Sequence, residues 1–92
     1  MIVRGRVQGV GFRYWTQQQA LRRGLEGFVR NRRDGSVEAA FAGSADVVAE
    51  MMEALREGPT GSRVDAIEEL ADSDNAVATA HPGERFSMLP TA

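Results

Sequence analysis

The hydrophobic period of this chain changes from two to about four at a bend marked by paired glycines, and that switch limits the folds open to it. Val3, Gly5 and Val7 alternate with Arg4, Arg6 and Gln8, the repeat of a half-buried strand, until Gly9 and Gly11 interrupt it. From Phe12 onward the apolar positions take helical spacing. Phe12, Thr16 and Ala20 fall four apart with Leu21 beside them, and Gly24 stands where a C-terminal cap is expected.

Alternation then returns, in Leu25, Gly27 and Val29 against Glu26, Phe28 and Arg30, and in Val37, Ala39 and Phe41 against Glu38, Ala40 and Ala42. Asp34-Gly35 lies between these runs, so they predict a hairpin. Ser44 is a suitable N-cap with Asp46 in the first turn, and Val47, Val48, Met51, Met52 and Leu55 form an apolar stripe that Gly58-Pro59 ends. Met51 and Met52 sit at helical spacing and read as core filling. Arg63 to Leu70 predicts a further strand, in which the three-residue step from Val64 to Ile67 calls for a bulge or a late start. Ala71 to Glu84 reads as a surface loop holding the lone His81, and Arg85 to Leu89 as a short last strand.

The resulting order is βαββαβ plus a short C-terminal strand. It predicts an α+β, ferredoxin-like split βαβ sandwich, with two helices on one face of an antiparallel sheet and residues 1–92 forming one domain. That architecture serves many activities, so function has to be read from a site.

Bulk properties remove several classes. The 92 residues contain no cysteine, which excludes a disulfide framework and a thiolate zinc site. The start Met1-Ile2-Val3-Arg4 offers no apolar run for a signal peptide or a membrane span, so a cytoplasmic protein without membrane attachment is expected. All basic residues are arginine. Eight lie in residues 1–33 against a single acid, Glu26, while the remainder carries Arg56, Arg63 and Arg85 against 12 acids. An arginine-rich start of this kind also occurs in transit peptides, but Gly5, Gly9 and Gly11 would interrupt the amphipathic helix such a peptide needs.

Gln8-Gly9-Val10-Gly11-Phe12-Arg13 joins a strand end to a helix start, where backbone N–H groups lack helical partners and the helix dipole favours an anion. Without a Cβ, Gly9 and Gly11 can adopt the positive φ angles that turn successive N–H groups inward. Arg13 adds a planar fork that matches two phosphate oxygens at once. An isolated Gly-x-Gly recurs often by chance, and a tight turn beside a solvated arginine fits it as well. Asn31, at the end of the second strand, carries an amide able to donate to and accept from a water; it equally fits the first residue of a turn.

Two longer patterns add weight. Val3 through Arg13 resembles the first signature of the acylphosphatase family along its whole length, and Gly27-Phe28-Val29-Arg30-Asn31, with Gly35-Ser36-Val37 and Gly43 at unbroken spacing, resembles the second. Thr16, Ala20 and Gly24-Leu25 also look like family positions. The lead before the first signature is shorter than in relatives, and Phe86 to Pro90 matches the usual last strand only loosely. The resemblance implies hydrolysis of a small-molecule acyl phosphate to a carboxylate and inorganic phosphate, with no cofactor and no metal. By motif position it makes Arg13 the phosphate-binding arginine, Asn31 the residue that orients the attacking water, and Gln8, Gly9, Val10, Gly11 and Phe12 the rest of the phosphate loop. A monomer is expected.

The same element order occurs in RNA-recognition domains, which need aromatic side chains on the exposed sheet face. Here Glu38 and Ala40 point outward from the third strand and neither can stack on a base, so no nucleic-acid partner is expected. A scaffold domain without turnover, as found within larger maturation proteins, is a third reading; intact Arg13 and Asn31 argue against it.

Overall fold

The structure is a computed structural model that describes residues 1–69 and 86–91, so the loop expected over Ala71 to Glu84, with His81, lies outside the described residues. Seven elements follow the expected order: β1 (Ile2–Arg6), α1 (Phe12–Arg22), β2 (Glu26–Asn31), β3 (Val37–Ala42), α2 (Ala45–Glu57), β4 (Arg63–Glu68) and β5 (Phe86–Met88). The strands lie in the order β4-β1-β3-β2-β5. β3 is inserted between β1 and β2, which makes the split βαβ arrangement.

The first four strands pair antiparallel throughout, as expected, but β5 lies parallel to β2. The five-stranded sheet is therefore mixed. A three-residue strand carries too few alternating positions to announce its direction, and pairing at a sheet edge depends on distant contacts rather than local pattern.

The slip in β4 is a bulge. Arg4 pairs with Ala66 and Gly5 with Val64, which leaves Asp65 as the extra residue and returns Val64 to register. The bulge crowds the opposite strand, and a Cβ at Gly5 would collide with the Arg63 carbonyl oxygen. Only glycine fits there.

Alternation sorts the sheet residues onto two faces. Val3, Val29, Val37 and Ala39 join Phe12 and Ala20 of α1 and Met51 and Leu55 of α2 in one buried cluster. Full burial of a side chain such as Phe12 or Leu55 contributes about 1.5–3 kcal/mol, and without disulfides this packing carries the fold. Phe28, Ala40 and Leu89 form a second buried cluster. Its surroundings are polar. Arg30 Nε lies 2.7 Å from Glu38 Oε1 across the β2–β3 pair, with its guanidinium 5.3 Å from the Phe28 ring centre. Arg4 bridges Glu68 at 2.9 Å and Asp34 at 3.5 Å. Among the described residues the one large apolar side chain left exposed is Tyr14 on α1, so this sheet offers no exposed aromatic platform for bases.

Candidate active site

The bend between β1 and α1 has the geometry its glycines permit. Gly9 and Gly11 both have φ of 76°, and a Cβ added at either would meet no protein atom within 4 Å. Gly11 occupies the N-cap position of α1, where no side chain caps the helix and no acid stands in the first turn. Trp15 N donates to Gly11 O at 3.0 Å, while among the described residues the N–H groups from Gly9 to Tyr14 have no protein acceptor. A run of unpaired donors at the positive end of a helix dipole is a site for an anion.

Packing holds this bend in place. Val7 at its start and Phe12 at its end are both buried in the main core, and the Phe12 ring stands 5.7 Å from that of Trp15. Val10 is half-buried and also packs against the core. The loop is therefore anchored by Val7, Val10 and Phe12, which leaves Gly9, Gly11 and Arg13 to line the pocket.

A pocket of about 160 Å³ opens over the bend. Gln8, Gly9, Gly11, Phe12, Arg13 and Asn31 all line it, so two segments far apart in sequence meet at one place. Val10 is the one residue of the expected loop that does not reach this pocket. Three lining residues escaped the sequence reading: Val7, Tyr14 and Met88. Tyr14 directly follows Arg13 and could have been suspected; nothing local marks Met88.

The two amide side chains at this site differ. Asn31 Oδ1 is buried and has no hydrogen-bond partner among the described residues. An unpaired buried acceptor is unfavourable by about 1–3 kcal/mol, so its persistence marks a group kept ready for another donor. The NH₂ end of the Gln8 amide is instead fully engaged, with Nε2 donating to Arg32 O and to Ser36 O at 2.8 Å each. The hairpin beyond Asn31 is further ordered by Asp34, whose Oδ1 accepts from the Ser36 hydroxyl and from Ser36 N. These bonds, the hydroxyl first, lower the Asp34 pKa from 3.8 to about 2, with Arg32 and Arg4 adding to the effect.

A larger cavity, about 410 Å³, lies between α2 and β4. Its charged lining is Arg56 against Asp65 and Glu69, and it has no glycine bend. An anionic substrate would find net repulsion there, so size alone does not locate the chemistry. No group of three His, Cys, Asp or Glu among the described residues is placed to hold a metal ion.

Comparison with known proteins gives the family. The acylphosphatase family model matches residues 1–87. The chain belongs to the acylphosphatase family. An acylphosphatase of Nitrobacter hamburgensis is 60% identical over 91 residues, covering 99% of this chain and 92% of its own. The crystal structure of acylphosphatase from Bacillus subtilis superposes with a TM-score of 0.78 at 38% identity, covering 96% of this chain and 92% of that one. An acylphosphatase structure from Coxiella burnetii reaches a TM-score of 0.73 at 27% identity, covering 96% and 86%. Acylphosphatases are hydrolases acting on acid anhydrides, and their ferredoxin-like fold is the one found here.

Proposed function

We propose that this chain hydrolyses carboxyl-phosphate mixed anhydrides without a metal, binding the phosphoryl group on the Gln8 to Arg13 bend and orienting water with Asn31. The observation that carries the reading is the convergence of Arg13, Asn31 and the unpaired N–H groups of the bend on one pocket. Phosphoryl transfer asks the protein chiefly to position the reactants and to stabilise charge on the equatorial oxygens. The bend donors and the Arg13 fork serve the second need; the unpaired Asn31 amide serves the first.

The water oxygen forms a bond to phosphorus in line with the acyl oxygen, and the bond from phosphorus to that oxygen breaks. The carboxylate leaves with the electron pair. Among the described residues lining the pocket there is no histidine or carboxylate to act as base, so the water's proton passes to a phosphoryl oxygen of the substrate. A carboxylate is a good leaving group and needs no general acid.

Hydrolysis of benzoyl phosphate in the presence of a chelator tests the whole reading. Arg13→Gln and Asn31→Ala are each expected to lower the rate by at least about 100-fold, near 2.7 kcal/mol of transition-state stabilisation. Wild-type turnover in either variant would remove that residue's role, and loss of all activity with chelator would remove the metal-free route. A rate that followed a protein group titrating near neutrality would overturn transfer of the proton to substrate.

A further inference from the structure

Gln8 stands in the phosphate bend by sequence, yet its side chain serves the neighbouring hairpin. Its Nε2 donates to the carbonyl oxygens of Arg32 and Ser36, both at 2.8 Å. Two carbonyl acceptors settle the orientation of the amide, because only the NH₂ end can donate to both. Each hydrogen of that group is then committed, and none remains for an anion. Arg32 N also donates to Ser36 O at 2.9 Å, so the Gln8 amide closes over the mouth of the hairpin.

That mouth adjoins Asn31. Arg32 follows it in the chain, and Ser36 precedes Val37, its partner in the β2–β3 register. The sheet ties Asn31 to β1 only through β3, and the β1–β3 register ends at Val3 and Val37, short of the bend. Ser36 is buried, which shields the joint from competing water.

We propose that Gln8 is a positioning residue that sets the separation between the phosphate cradle and Asn31, an inference that rests on Asn31 being the water-orienting group. The cradle holds phosphorus and Asn31 holds the nucleophile, so the clasp fixes the approach of one to the other. A displacement on the order of 1 Å at such a joint lowers the rate by about 100-fold without removing any group that touches substrate.

The test is a double-mutant cycle on the full chain with benzoyl phosphate as substrate and inorganic phosphate as inhibitor. Gln8→Leu is expected to lower kcat by about 10- to 100-fold, with KM and the phosphate inhibition constant within about threefold of wild type. In an Asn31→Ala background the same change should reduce kcat by less than about twofold, because the group being positioned is gone. An equal loss in both backgrounds would overturn the proposal while leaving the role of Asn31 intact. Weakened phosphate binding with kcat unchanged would overturn it too, since the Gln8 side chain would then be a phosphate ligand. Wild-type turnover in Asn31→Ala would remove the object being positioned, and both readings would fall together. The unsubstituted protein supplies a measurement that needs no variant to fold. In its ¹⁵N NMR spectrum the two Gln8 side-chain amide protons should be well separated and protected from exchange, and a degenerate, rapidly exchanging pair would overturn the clasp.

Discussion

Helix α2 closes its own first turn, whereas α1 leaves its first turn open. At α2, Ser44 takes an extended conformation, its Oγ accepts from Val47 N, and Asp46 places negative charge beside the helix dipole. At α1 the cap is Gly11 in the left-handed region, with no capping side chain, no acid and Arg13 in the first turn. Both helices contribute to one core, α1 through Phe12 and Ala20 and α2 through Met51 and Leu55, so the contrast is not a matter of folding alone. A helix start that forgoes its own stabilisation is one held for something else, and in this molecule the open start adjoins the pocket that Asn31 reaches.

The sharpest way to break the contrast is Gly11→Ala. The new Cβ meets no protein atom, so the change acts through backbone conformation, at about 1–2 kcal/mol for a left-handed alanine. Relief of that strain turns the N–H groups away from their common target, and kcat/KM for benzoyl phosphate should fall by about 10- to 100-fold. Unchanged kinetics would mean that the open turn has no share in binding. The matching change at α2, Ser44→Ala, should leave turnover within about twofold and lower the unfolding free energy by about 0.5–1 kcal/mol in urea titration. The low end applies because the Ser44 bond is exposed and long, at 3.4 Å.

The smallest effect concerns the hairpin, which Asp34 closes with its own side chain much as Ser44 closes α2. Its folded pKa of about 2 lies below the ordinary 3.8, so its contribution is complete above pH 3.8 and is lost as pH falls through 2. Asp34→Asn should flatten that part of the acid-unfolding curve without abolishing it. Glu68, also lowered by its bond to Arg4, keeps a residual slope. An acid limb identical in wild type and variant would show that the Asp34 bonds do not survive in solution.

Most of the fold was legible because its elements are long enough to repeat their period. Phe12, Thr16 and Ala20 declared the buried face of α1, and the Val64 to Ile67 step called for a bulge or a late start in β4, of which the structure has the bulge. The parallel seat of β5 was not legible, since three residues repeat nothing and the partner strand is remote in sequence. At the site, Gly9, Gly11, Arg13 and Asn31 could be read from backbone needs and motif spacing, and they converge on the pocket. Val10 belongs to the loop by motif, yet its half-buried side chain packs against the core and does not line the pocket. The task of the Gln8 side chain was invisible, because its acceptors are backbone carbonyls 24 and 28 residues away. Backbone atoms carry no sequence signature, and only tertiary geometry brings them into reach.

Met88 lines the pocket from β5, the strand at the far edge of the sheet beside β2. During synthesis the cradle, Asn31 and both helices leave the ribosome before it does. A chain emerging in order thus exposes the glycine bend and the hairpin while this wall of the pocket is still missing.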